Sequence, residues 1–283
     1  MDSPTFTAIT YEVADRIATI GFNEPEVLNP MTPGMMADTI AALDLAAQDR
    51  NVRVIIITGH GRAFSAGGDV RSLGERQRAA GGPPAEGDEA AAPPRAPGPF
   101  DRRAWLRRTQ RMILAIRAVE KPVIAAINGV AAGGGCDIAL ACDLRVMADT
   151  ARIGEIFAKI GLFPGTGGTW LLPRAVGVEK ALEMIWTGEL LPADDALRIG
   201  LVGRVVPHDQ LMAEARALAL RLADGPPLAL ALAKAAVYRG LDQDMAAAMD
   251  YASTAEAITL TSEDHKEGIR AFREKRTPTF EGH

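Results

Sequence analysis

Short, uninterrupted apolar runs limit what this 283-residue chain can fold into more than any other feature. Val54-Ile55-Ile56-Ile57 lacks the apolar–polar alternation of a strand wetted on one face. It predicts a strand covered on both faces, as in a parallel sheet packed under helices. Val123-Ile124-Ala125-Ala126-Ile127 repeats the pattern, and Leu144–Met147 and Val202–Val206 supply a third and a fourth strand. The segments between them read as helix, so the expected class is α/β. A hairpin comes first: Ile9–Val13 and Ile17–Phe22 flank the turn residues Ala14-Asp15-Arg16. After a turn at Asn23-Glu24-Pro25, Thr32 followed by Pro33 marks a helix start, a capping hydroxyl and then a residue that needs no N–H donor. That helix is expected to run to about Asp49.

Two regions depart from the alternating order. Residues 74–100 carry Gly81-Gly82-Pro83-Pro84, Pro93-Pro94, Pro97 and Pro99 with almost no large apolar side chain. Such a stretch buries too little surface to offset its ordering entropy. Residues 75–100 are therefore expected to be a mobile surface insertion, and their place after a glycine-rich loop suits a lid. Past Pro207 the pattern turns wholly helical. Leu211, Ala215, Leu218 and Leu222 share a helix face, Gly225-Pro226-Pro227 breaks that helix, and further helices are expected at 228–238, 243–260 and 264–274. The domain reading is a core over 1–206, carrying the insertion, and a helical oligomerisation region over 207–283.

Composition narrows the function. With 48% hydrophobic and 24% charged residues, the chain can bury a sizeable aliphatic core. Its net charge of -5 argues against a nucleic-acid surface. Arg102, Arg103, Arg107, Arg108 and Arg111 cluster, but as the solvated face of a helix. Cys136 and Cys142 are the two cysteines, too few for a disulfide framework and without a nearby histidine for a metal. His60, His208, His265 and His283 have no metal-ligand spacing, so no metal is expected. No targeting segment or membrane span is read, and the expected compartment is the cytoplasm.

Two glycine-rich loops follow two of the buried strands: Ala63-Phe64-Ser65-Ala66-Gly67-Gly68-Asp69, and Asn128-Gly129-Val130-Ala131-Ala132-Gly133-Gly134-Gly135-Cys136-Asp137. Small residues let a ligand approach the main chain, and each loop leads into an expected helix, whose N-terminus favours negative charge. One N–H from each loop, converging on a carbonyl oxygen, would stabilise an enolate-like oxyanion. Either loop alone reads equally as a tight turn. Neither matches a dinucleotide or P-loop fingerprint.

Together the loops resemble the crotonase (enoyl-CoA hydratase/isomerase) family, whose patterns are A-F-x-A-G-x-D and N-G-x-A-x-G-G-G-x-E/D. Cys142-Asp143-Leu144-Arg145, Gly161 to Thr169, and Glu263 to Arg276 match later segments in family order. The resemblance implies a crotonase-like spiral of ββα turns with a C-terminal helical trimerisation region. It implies an enzyme working on an acyl-coenzyme A thioester, with no cofactor beyond the coenzyme A of the substrate, assembled as a homotrimer or a dimer of trimers. It assigns the oxyanion N–H groups to Ala66 and Gly134. Coenzyme A contacts would come from Val27, Ala66, Gly67, Gly68, Asp69 and Gly134, with Phe272 and Lys275 reaching a neighbouring subunit's ligand.

The sequence also departs from the family pattern. The first catalytic carboxylate slot holds Asp137, which alone would read as a carboxylate favoured by a helix N-terminus. The second slot falls at Phe157, which cannot carry protons. Glu155, two residues earlier, is the reserve candidate and is expected to be exposed. Dienoyl-CoA isomerases of the family also use an aspartate in the first slot, but pair it with carboxylates where this chain has Phe157 and Gly165. Asp137 is thus left as main proton carrier, with isomerisation-like proton transfer favoured over efficient hydration. Two rival readings are a serine hydrolase, with Ser65 served by Asp195 and His208 or His265, and a protein that binds acyl-CoA without turnover. If residues 75–100 form a lid, limited proteolysis should cut there first and an acyl-CoA should slow the cut; first cleavage elsewhere, or a rate indifferent to ligand, would refute the corresponding part.

Overall fold

The computed structural model describes residues 5–68 and 98–283. Residues 69–97, including Asp69 and most of the expected insertion, lie outside the described residues. The insertion ends slightly earlier than expected, because Pro99 already opens a helix.

Two sheets form the core. The larger runs β1 (Ile9–Ala14), β2 (Ile17–Phe22), β3 (Val54–Gly59), β5 (Val123–Ile127), β7 (Leu144–Ala148) and β10 (Arg204–Val206) in that spatial order. Only the β1–β2 hairpin is antiparallel; every later pair is parallel. The smaller sheet runs β4 (Ala63–Ser65), β6 (Val130–Ala132), β8 (Arg152–Gly154) and β9 (Leu191–Pro192). Successive units give one strand to the large sheet and the next to the small one: β3 then β4, β5 then β6, β7 then β8. Each winding brings a strand-to-loop junction to the same side, which stacks the two glycine-rich loops. The fourth strand starts two residues later than expected, since Val202 and Gly203 donate their N–H groups to Ala196 and Arg145 outside the ladder.

The continuous apolar runs behave as their composition requires. Val54 to Ile57 and Val123 to Ile127 are wholly buried. α1 (Pro33–Gln48) packs against β1 and β2, α2 (Pro99–Ala118) packs against α1, and α3 (Gly134–Ala141) packs against α2 and against β4 and β6 of the small sheet. The large sheet also receives α7 (Leu211–Ala223), which buries Leu211, Ala215, Leu218, Ala219 and Ala223 and lies against β3, β5 and β7. Thr32 caps α1 by accepting from the Met35 N–H at 3.1 Å, with Pro33 in the first turn. Three short helices complete the middle of the chain: α4 (Gly168–Val176), α5 (Val178–Thr187) and α6 (Ala193–Arg198).

The tail continues as α8 (Pro227–Gly240), α9 (Met245–Leu260) and α10 (Glu263–Glu274). A charged and aromatic latch joins α8 to the core. Lys234 pairs with Asp143 at 2.8 Å, Tyr238 donates to the same carboxylate at 2.5 Å, and the Arg117 guanidinium lies 3.3 Å from the centre of the Tyr238 ring. Neither α8 nor α9 buries a whole residue, and Val237, Met245 and Met249 stand more than half exposed. Thus α7 belongs to the packing of the sheet, while α8 to α10 extend beyond it. No described helix is long and apolar enough to cross a membrane.

Candidate active site

The site forms where β4 and β6 deliver their loops side by side. These strands pair in parallel, and the first loop lies against the second with no side chain between them. A Cβ on Gly67 would collide with the Ala132 carbonyl and come within 2.8 Å of the Gly134 nitrogen. Gly67 also holds a φ of +82°, and Gly133 combines φ +52° with ψ -116°, a region glycine alone occupies comfortably. The turn at Gly133 points the first N–H groups of α3, beginning with Gly134, out of the helix end, where no intrahelical carbonyl can take them. The positive end of the α3 dipole adds to their pull on an anion.

The first loop is tied down by its neighbours. Asn29 is buried at φ +53°, donates from Nδ2 to the Ala63 and His60 carbonyls at 2.8 and 2.9 Å, and accepts the Glu24 N–H at 2.9 Å. Met31 donates to the Gly67 carbonyl at 2.8 Å. Val27 sits in the short turn just before this anchor, half-buried.

Two expectations are corrected. The Ala66 N–H donates to the Leu28 carbonyl at 2.9 Å, so it is committed to holding the loop and is not the oxyanion donor. Glu155, expected on the surface, has no exposed area. The reason is local. The pairing of Ala132 with Gly154, and the Gly133 N–H donating to the Gly154 carbonyl at 2.9 Å, clamp the end of β8 to the second loop. The chain then passes from strand into a 3₁₀ turn over Ile156–Ile160. Neither strand nor helix periodicity holds across that junction. Glu155 turns inward toward α3, and the Phe157 ring comes to lie on Gly133, its Cζ 3.3 Å from where a Cβ would stand.

Asp137 follows Gly134 by three residues on the same helix face, and helical side chains lean toward the N-terminus. Its carboxyl is fully buried. Thr166 donates its hydroxyl to Oδ2 in a short hydrogen bond. Oδ1 of Asp137 and Oε1 of Glu155 both lie under 3.0 Å from the point where a Cβ on Gly168 would stand, so the missing side chain at Gly168 makes room for both carboxyls. They face each other, yet Asp137 Oδ1 and both Glu155 oxygens make no well-aligned hydrogen bond. Burial pushes Asp137 up to about 6, against the pull of hydrogen bonds from Thr166 and Glu155. Burial, then the charge of Asp137, raises Glu155 well above the ordinary carboxyl range. Cys136 stands beside the pair, its thiol pushed up by burial first and the two carboxyls second.

The sequence motif Gly165-Thr166-Gly167-Gly168-Thr169 was visible, but the parts of Thr166 and Gly168 were not. Neither residue type signals a carboxylate partner by itself. Other expected residues fall elsewhere. Phe272 (85% exposed) and Lys275, at the end of α10, belong to no element that builds the pair of loops. Ser65 is buried, donates to the Asn29 carbonyl at 2.7 Å and accepts the Gly67 N–H at 3.2 Å. Asp195 pairs with Arg198, while His208 and His265 are exposed, so the hydrolase reading has no assembled triad. A wide cleft of about 840 Å³, lined by Gln48, Lys121, Leu228 and Gly282, shares no lining residue with the carboxyl pair.

A spiral of ββα units with paired glycine loops at a helix N-terminus and a buried carboxyl beside them defines a crotonase-fold acyl-CoA enzyme. The enoyl-CoA hydratase/isomerase family model matches residues 12–90 and 101–283, and the chain belongs to that family. It is 33% identical over 273 residues to a crotonyl-CoA hydratase of Syntrophomonas wolfei, covering 96% of this chain and 97% of that one. It is 35% identical over 270 residues to the 2,3-dehydroadipyl-CoA hydratase of Escherichia coli, covering 94% and 96%. The crystal structure of an enoyl-CoA hydratase from Bacillus anthracis superposes with a TM-score of 0.87 at 32% identity, over 98% of this chain and all of that one.

Replacing Asn29 with alanine would remove three hydrogen bonds and the side chain that tolerates a left-handed backbone. Urea unfolding should show a loss of about 2–4 kcal/mol, the range for a broken buried network. Acyl-CoA binding should weaken along with it.

Proposed function

We propose that this enzyme takes an acyl-CoA thioester through an enolate, and that proton transfer between substrate carbons is favoured over efficient addition of water. The thioester oxygen would accept the Gly134 N–H and, in place of Ala66, the N–H of Gly68, the residue that follows Gly67 beside Gly134. Charge developing on that oxygen would meet donors already aimed at it in a partly dry site, the arrangement that lowers an enolate barrier. Coenzyme A arrives as part of the substrate, and no resident cofactor enters the scheme.

Asp137 is the proton carrier. With its carboxyl raised to about 6, it is mostly ionised at neutral pH and more basic than an ordinary carboxylate, the compromise that general acid–base catalysis needs to take a proton from carbon. The observation that carries the preference for proton transfer is the Phe157 ring resting on Gly133. It presents an apolar wall where hydration would need a carboxylate to aim water at the β-carbon. Hydration is the second reading, favoured by the presence of two buried carboxyls and by relatives that are called hydratases.

Deuterium uptake at the α-carbon of butyryl-CoA tests the proton carrier. Asp137→Asn should lower it by roughly 10²–10⁴-fold, the usual general-base contribution, while a CoA thioester still binds calorimetrically. Phe157→Glu should raise crotonyl-CoA hydration. Brisk hydration by the unmodified enzyme, persisting in Asp137→Asn, would overturn the assignment.

The assembly reading is a homotrimer or a dimer of trimers held through α8 to α10. Its support is the run of exposed apolar residues there, Val237, Met245, Met249 and Phe272. Multi-angle light scattering at micromolar concentration should give a multiple of three chains; a monomer would contradict it.

A further inference from the structure

We propose that Glu155 is a positioning residue that holds a proton against Asp137, so that the two carboxyls share one proton in the resting enzyme and present a single negative charge to the substrate. The proposal rests on Asp137 being the proton carrier, and it extends that reading to a residue outside the slot expected for a second carboxylate.

The geometry leads to it. Both side chains are wholly buried and face each other over Gly168. Thr166 satisfies Oδ2 of Asp137, which leaves Oδ1 opposite a Glu155 carboxyl whose own oxygens have no good donor. Two carboxylates facing one another away from water cannot both ionise, and a proton between them satisfies the stranded oxygens of both. Among the described residues, Cys136 is the other titratable group that feels both carboxyls, and its thiol, raised by burial and by them, stays neutral; Arg145 acts on Cys136 only as the smallest of its influences. Among the described residues, no Lys or Arg is paired with either carboxyl to let the two hold two negative charges.

The division of roles follows from environment. Asp137 has the Thr166 hydroxyl as a donor and Glu155 has only the weaker Cys136 thiol, so Asp137 is the member that ionises. When the substrate C–H bond breaks, its electron pair remains as the enolate and a new O–H bond forms on Asp137. The pair then carries two protons and no charge, and the negative charge has moved to the thioester oxygen at the loops. Return of the Asp137 proton to a carbon restores the singly charged pair. Glu155 keeps its proton throughout.

The test separates a protonated Glu155 from an ionised one. The acidic limb of kcat/KM for butyryl-CoA exchange reports ionisation of Asp137. A neutral donor at 155 lowers that limb, so Glu155→Gln, which keeps an N–H donor, should leave it within a few tenths of a pH unit. Glu155→Leu removes the donor and should move the limb up by roughly one unit. If Glu155 is ionised instead, both variants remove a negative charge and both limbs move down, which would overturn the proposal, as would no movement in Glu155→Leu. Infrared spectroscopy of the free enzyme at pH 8 supplies a reading independent of activity and of the leucine variant's folding. A protonated-carboxyl C=O band should be present and should vanish in Glu155→Gln. Its absence from the unmodified enzyme would overturn the shared proton, whereas failure of Asp137→Asn to lose exchange would overturn the proton-carrier reading and leave the infrared result intact.

Discussion

Everything in this site depends on two stretches of main chain lying in contact with no side chain between them. Gly67 sits against Ala132 and Gly134 so closely that one added carbon would meet backbone atoms that cannot move aside. That approach requires β4 and β6 to be neighbours in the small sheet, which in turn requires the large sheet to be parallel with β3 beside β5. The buried strands are therefore more than a core. Their register sets the spacing of the two loops, and a slip would separate the N–H groups that an oxyanion needs.

The carboxyl pair is the electrostatic counterpart of that contact. The turn at Gly133 opens α3 and exposes its N-terminal donors, and three residues later the same helix brings Asp137 beneath them. The β8 strand is bonded to the second loop through Gly133 and Gly154, so its last turn has one place to go, and Glu155 is carried into the interior. A buried carboxyl normally costs stability. Here the cost is reduced by a Thr166 hydrogen bond on one member, by a shared proton on the proposed reading, and by space left free at Gly168. Burial also lifts Asp137 to about 6, in the range where one group both takes and returns a proton near neutrality.

Much of this was legible in residue order. The β-branched runs specified strands buried on both faces, Thr32-Pro33 specified a helix start, and Gly225-Pro226-Pro227 specified a break, because each depends on local steric or hydrogen-bonding rules. The glycine loops were visible as small-residue runs after buried strands, whereas the slot at Asp137 and the loss of a carboxylate at Phe157 came from the resemblance to the crotonase family. The role of Ala66 was misread, since a backbone N–H has no signature in sequence and its bond to Leu28 exists only after folding.

Glu155 shows where the two kinds of information part. The sequence by itself determined which residues are apolar, which can take positive φ, and which can carry a proton; these are properties of single residues and of their spacing along the chain. Only the tertiary structure decided which way Glu155 points. Its direction is set at a strand-to-turn junction clamped by Gly133, a residue 22 positions earlier in the chain. Periodicity has no value at such a junction, because the chain leaves one repeat before it enters another. Burial against Asp137 is therefore a consequence of contacts between distant segments, and the acid–base character of both carboxyls comes from that burial.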